Sequence, residues 1–302
     1  MRFYRLVDSV GETHVTVESK EGTLTDITSV HNEITDIEQI IQIASLSGTS
    51  MDKLAKHLIT QGSPENYNLQ EIIESSRDGA GDLWLDIPID TPEVWAFGVT
   101  YQNSVMERQR ESDCPDLYAI VYNSDRPALF LKATPERYVG PFESVGVRGD
   151  SSWDVPEPEL AFILYKGEIA GYTCGNDMSS RSIEGENPLY QAQAKQYARC
   201  CSIGPSFVPK DSIENAQNLE IRCTISREGK EIFSDKTSTS LMNRTIEELV
   251  GWANRHNSLP DMTTVLTGTS IVPPPDITLG EGDIVTVEID GIGTLENDVI
   301  VV

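Results

Sequence analysis

The chain has 302 residues, and its 48 acidic against 23 basic side chains set a net charge of −25. A surface so negative repels phosphate backbones and anionic lipid, which excludes nucleic acid and membrane as partners. No apolar stretch approaches the roughly 20 residues of a membrane span, and MRFYRLVDSV lacks the apolar core of a signal peptide, so a cytoplasmic protein is expected. The acid excess is no tail: residues 1–90 hold 16 acids and 6 bases, a net of −10. It belongs to the whole surface, as in an acidic proteome adapted to high salt or in an ordinary acidic enzyme. The cysteines (Cys114, Cys174, Cys200, Cys201, Cys223) are odd in number and lack C-x-x-C spacing, which predicts reduced structural thiols.

Residues 1–23 alternate and turn like a small sheet, through RFYRLVD and ETHVTVES. Helical patterns follow at 36–46 and 50–61, the second capped by Ser50. Residues 62–92 are polar and punctuated by Gly and Pro, so a domain boundary is placed near residue 90, giving a small α/β domain 1–90 and a larger domain 91–302. Beyond it come short strands: VWAFGVT, PALFLKA, LAFILYKG, EIAGYTCG, LEIRCTISREG, TTVLTGTS and DIVTVEIDGIGTLEN. Helices are expected only at 104–112 and 245–256, the latter with Thr245 and Glu248 spaced as a capping box. The fold class is therefore α+β, mainly β.

WDVPEPELAFIL (153–164) sets Glu157 and Glu159 at the mouth of an apolar strand. Side chains two apart on a strand share a face, so both carboxylates can converge on one cation. The chain returns as IAGYTCGND, and the hairpin register decides what joins them. A two-residue Lys166-Gly167 loop pairs Glu157 with Asn176; a three-residue loop, or one bulge, pairs it with Asp177 instead. Only the second register assembles three carboxylates, a set suited to Mg²⁺, Mn²⁺ or Ca²⁺ and less to zinc. The other reading is a solvated strand edge, since about one residue in six is acidic and such pairs arise from composition alone.

WDVPEPELAFIL together with GYTCGNDMSSR resembles the metal-binding core of the fumarylacetoacetate hydrolase family. FGVTYQNSVMER, PALFLKA, QAKQYARCCSIGPSFV, VLTGTS and LGEGDIVTVEIDGIGTLEN resemble further segments of that family in the same order, over roughly residues 93–302. The resemblance implies a mixed β-roll catalytic domain, a cation-bound 2-oxo acid substrate, and a homodimer or higher homo-oligomer. It implies Glu157, Glu159 and Asp177 as metal ligands, Lys195 as the active-site lysine, Arg181, Gln191 and Lys132 as substrate contacts, and Thr269 as a donor to the substrate carboxylate.

One position departs from the family. Where its hydrolases carry a histidine base, this chain has Ser104, with Glu107 three residues on, and His14, His31, His57 and His256 lie outside every matched segment. A neutral serine activates water poorly, which disfavours C–C hydrolysis. GVTYQNSVMER, RPALFLKAT and DSSWDVPEPEL resemble instead the family's 2-keto-3-deoxyarabinonate dehydratases. That resemblance implies a Mg²⁺-dependent dehydratase converting a 2-oxo-3-deoxypentonate to 2,5-dioxopentanoate in pentose degradation; Lys195 could remove a C3 proton, with the leaving C4 hydroxyl protonated by Glu107 or by metal-organised water. The alternatives are an acylpyruvate hydrolase or oxaloacetate decarboxylase of the same family, or a non-catalytic sugar-acid binding protein.

Overall fold

The computed structural model describes residues 1–111 and 115–302. Cys114 and the last residue of the helix expected at 104–112 lie outside them; the helix itself runs Gln102–Glu111. The main sheet has twelve strands. Its centre is Cys201–Pro209, Glu168–Asp177, Pro158–Tyr165 and Thr263–Leu266, continued by Val94–Gly98 and Ala128–Ala133. A second sheet of five strands holds Glu220–Arg227, Lys230–Ser238, Ile284–Ile289, Gly293–Val301 and Val145–Val147. Both are mixed, with parallel pairs at Thr263–Leu266 beside Val94–Gly98 and at Gly293–Val301 beside Val145–Val147. The core sits between the sheets, where Leu160, Phe162, Cys174 and Leu266 meet Ile221, Val287 and Leu295.

The boundary expected near residue 90 is not a break in this sheet. Phe3–Asp8 pairs with Leu83–Asp86 and, through Phe3, with Phe207 of the central strand Cys201–Pro209. The helices Ile37–Ser47 and Met51–Ile59 lay Ile37, Ile40, Ile41 and Met51 against a core that includes Ile163, Phe207 and Met262. The predicted caps are present: the Ser50 hydroxyl accepts from the Lys53 N–H, and Thr245 and Glu248 form a reciprocal box at the start of Ile246–Asn254. Cys174, Cys200, Cys201 and Cys223 are free and buried. Among the described residues no helix is long and apolar enough to cross a membrane.

Candidate functional site

The hairpin that carries the acidic pair solves its own register. Tyr165 pairs with Glu168, so the loop is the two-residue Lys166-Gly167, and both residues take positive φ (52° and 76°), as a tight hairpin turn on twisted strands requires. The pairing then shifts by one between Ile163 and Leu164, because Ile163 faces Gly171 and Leu164 faces Ile169, leaving Ala170 as a bulge. From there Pro158 pairs with Asn176 and Glu159 with Gly175. The Asp177 N–H donates to the Glu157 carbonyl at 2.9 Å, so Asp177 stands opposite Glu157.

Glu157, Glu159 and Asp177 are all buried, and one carboxylate oxygen from each lies within 4.8 Å of the others. Glu159 is held by the loop after Thr263–Leu266, whose Gly268 N–H donates to its Oε2. Gly268 has φ +91°, and a Cβ there would stand 2.1 Å from the Thr100 hydroxyl, so only glycine presents this N–H. The other oxygen, Glu159 Oε1, is buried without a hydrogen-bond partner among the described residues. Burial first, then the charges of Asp177 and Glu157, push the Glu159 carboxyl well above the ordinary carboxylate range. An orphaned oxygen among crowded acids is costly, and a divalent cation relieves both terms. The trio offers hard oxygens and neither His nor Cys, so the donor set fits Mg²⁺, Mn²⁺ or Ca²⁺.

Three cations surround the trio. Lys195 Nζ lies 2.9 Å from Glu157 Oε1 and 3.3 Å from Asp177 Oδ2 and donates to Ser179 Oγ at 2.6 Å. Arg181 Nη1 spans Glu157 Oε1 at 2.9 Å and Glu184 Oε2 at 3.1 Å. Lys132 Nζ lies 2.6 Å from Asp177 Oδ1 and donates to the carbonyls of Met178 (2.7 Å) and Lys195. Burial opposes the charge on Lys132, but Asp177 outweighs it and holds its pKa above the usual lysine value.

Above the trio opens a cleft of about 210 Å³, lined by Glu157, Asp177, Lys195, Gln191, Thr269 and Ser104 among others. The Thr269 hydroxyl accepts from the Ile271 N–H at 3.1 Å, which steadies the loop at the cleft edge. Three expected site residues stand outside the lining, and the first is Arg181, expected as a substrate contact but 1% exposed and engaged with Glu157 and Glu184. Lys132 is fully buried beneath Asp177 and is not part of the lining, so it braces the site where a substrate contact was expected. Glu107 is also absent from the lining; its Oε1 accepts from Arg110 Nη1 at 2.6 Å. Two features were missed. Leu117, Tyr118 and Val121 form a wall from the helix Pro115–Asn123, whose β-branched and aromatic run PDLYAIVYN gives no helical stripe. Glu184 lines the cleft from Arg181–Glu186, and its signal was available: Arg181 and Glu184 sit three apart, an ion-pair spacing on a helix.

Comparison with known proteins agrees with this geometry. The family model for the fumarylacetoacetate (FAA) hydrolase C-terminal region matches residues 93–300. A probable 2-keto-3-deoxyxylonate dehydratase of Haloferax volcanii is 47% identical over 299 residues, covering 99% of both chains. The 2-dehydro-3-deoxy-D-arabinonate dehydratase of Saccharolobus solfataricus is 45% identical over 222 residues, covering 71% of this chain and 74% of its own. A solved structure of 2-keto-3-deoxy-D-arabinonate dehydratase complexed with magnesium and 2,5-dioxopentanoate superposes with a TM-score of 0.84 at 34% identity, covering 100% of this chain and 99% of that one.

Proposed function

Because the chain belongs to the fumarylacetoacetate hydrolase family, we propose that it is a divalent-metal-dependent dehydratase of 2-oxo-3-deoxypentonates, forming 2,5-dioxopentanoate. The observation that carries this reading is the buried trio Glu157, Glu159 and Asp177 with the Lys195 ammonium nitrogen 2.9 Å from Glu157 on the cleft floor. The relatives whose names describe this reaction, one of them solved with magnesium and the product, support it.

Glu157, Glu159 and Asp177 would hold the cation. When bound, it draws electron density from the 2-oxo carbonyl, stabilises enolate charge and so acidifies the hydrogens on C3. Lys195, whose nitrogen lies 2.9 Å from Glu157 and faces the cleft, is the group placed to take a C3 proton. Gln191 and Thr269 line the cleft where they can orient the substrate. Ser104 donates its hydroxyl to the Tyr101 carbonyl at 2.7 Å, and a neutral hydroxyl is a poor base for the water that C–C hydrolysis needs. The protein would act in the cytoplasm as a homodimer or higher homo-oligomer, with residues 1–90 as a small accessory domain. Offered a 2-oxo-3-deoxypentonate, acetylpyruvate and oxaloacetate in parallel with Mg²⁺, it is expected to consume the first and release 2,5-dioxopentanoate. Acetylpyruvate cleavage as the dominant activity would overturn the reading.

A further inference from the structure

The proposed product carries an aldehyde at C5, and that sets a chemical requirement. Removing water across C3 and C4 alone leaves 5-hydroxy-2-oxopent-3-enoate, whose C5 is still an alcohol. To reach 2,5-dioxopentanoate, one hydrogen must leave C5 and one must arrive at C3. A second proton carrier is therefore needed beside Lys195, within reach of the far end of the substrate.

We propose that Glu184 is this carrier, a carboxylate base that takes a proton from C5 of the unsaturated intermediate and returns it to C3. This rests on the dehydratase reading and extends it. Among the described residues the cleft is lined by three carboxylates, and two of them, Glu157 and Asp177, belong to the cation trio. Glu184 is the third, only 8% exposed and fixed on the short helix Arg181–Glu186. Its Oε2 lies 3.1 Å from Arg181 Nη1, an ion pair that fixes the carboxylate at the cleft wall. The same Arg181 nitrogen lies 2.9 Å from Glu157 Oε1, which is in turn 2.9 Å from Lys195 Nζ. Lys195 and Glu184 thus flank one Glu157–Arg181 bridge, each facing the same cleft.

The two residues divide the proton work. Lys195 takes the C3 proton and passes it to the C4 hydroxyl as the C4–O bond breaks, so water leaves and the C3–H electron pair becomes the C3=C4 bond. Glu184 then removes a C5 proton, made acidic through the conjugated 2-oxo group, and the electrons shift to C4=C5 and C2=C3 with negative charge on the C2 oxygen. Glu184 returns its proton to C3, the 2-oxo group re-forms, and the remaining C4=C5 enol tautomerises to the aldehyde. C5 is oxidised at the expense of C4 within one molecule. Lys195 ends as an amine and Glu184 as a carboxylate, so no outside oxidant or acid is needed.

The test is Glu184→Gln with Mg²⁺ and a 2-oxo-3-deoxypentonate, following substrate loss and aldehyde formation separately by proton NMR. The variant is expected to lose substrate and accumulate the 3-enoate, with aldehyde formation down by about 10²-fold or more. Glu184→Asp should restore part of it. Aldehyde formation at the wild-type rate would overturn the proposal, and so would an equal fall in both signals, which is what a purely structural tie to Arg181 produces. Should Glu184→Gln fail to fold, the wild type with substrate dideuterated at C5 decides: product carrying deuterium at C3 supports the transfer, and deuterium at C5 only overturns it. A wild type that consumes no pentonate sinks the dehydratase reading itself, an outcome visible without any variant.

Discussion

Lys132 shows how a residue can matter to a site it never faces. It is fully buried, and its ammonium group braces Asp177 Oδ1 from behind while tying down the backbone of Met178 and Lys195. Removing one partner of a buried ion pair strands the other, at a cost of about 3–5 kcal/mol. Lys132→Met should therefore destabilise the metal-free protein by that order, and saturating Mn²⁺ should recover a large part by supplying positive charge to Asp177. Urea unfolding with and without Mn²⁺ measures both; equal midpoints for variant and wild type would contradict the bracing role. Asp154, three residues before Glu157, makes a pH-dependent case. It is 4% exposed, its Oδ1 has no hydrogen-bond partner among the described residues, and burial foremost pushes its carboxyl from 3.8 up to about 6. A carboxyl raised in the folded state contributes stability that is present below pH 3.8 and lost as pH rises through about 6. Asp154→Asn, which cannot ionise, should thus exceed the wild type above pH 6 by on the order of 1–2 kcal/mol, with the gain gone near pH 4. A gain that is the same at pH 4 and pH 8 would rule this out. That Glu157 and Glu159 share a face could be read from their spacing, whereas Lys195 was reached only through the resemblance of several segments in order. Where Lys132 and Glu107 stand relative to the cleft could not be read, because spacing along a strand or a helix does not say what covers a side chain in the fold.

At the scale of elements the hairpin Pro158–Tyr165 and Glu168–Asp177 decides the site. Both strands were evident from their apolar runs, and so was the condition that a bulge or longer loop must place Asp177 opposite Glu157. Which of the two occurs depends on packing: the turn stays at two residues with positive φ, and the extra residue is absorbed at Ala170. Inserting one alanine after Ala170, with the bulge kept at one residue, should slide the strand by one, bring Asn176 opposite Glu157 and turn Asp177 off the shared face. Mn²⁺ titration calorimetry is expected to show binding lost while circular dichroism keeps the strand signal; retained Mn²⁺ affinity would contradict the register argument. Other elements were concealed by their sequence texture. Residues 62–92 read as polar and punctuated by Gly and Pro, yet contain the helix Leu69–Asp78, started by the Asn68 cap and ended by Gly79 at φ 62°. Cys201–Pro209 is a fully buried central strand in which Gly204 and Pro205 interrupt the usual strand pattern.

For the whole molecule, composition sets an expectation about partners and is silent about where the charges meet. The −25 net charge is a surface property, whereas the site gathers Glu157, Glu159, Asp177 and Glu184 with Lys132, Lys195 and Arg181 from segments up to 63 residues apart in sequence. Only the fold brings them together, through a sheet that runs unbroken from Asn66–Asn68 to Ala128–Ala133 and so binds the N-terminal strands to the catalytic ones. The central claim is that the trio holds a divalent cation on which dehydration depends. It is tested most directly by stripping the purified protein with a chelator, adding back Mg²⁺, and following 2,5-dioxopentanoate formation from a 2-oxo-3-deoxypentonate by NMR. The predicted result is no turnover after chelation, full recovery with Mg²⁺, and no recovery in Glu159→Gln; undiminished turnover in the chelated protein would contradict it.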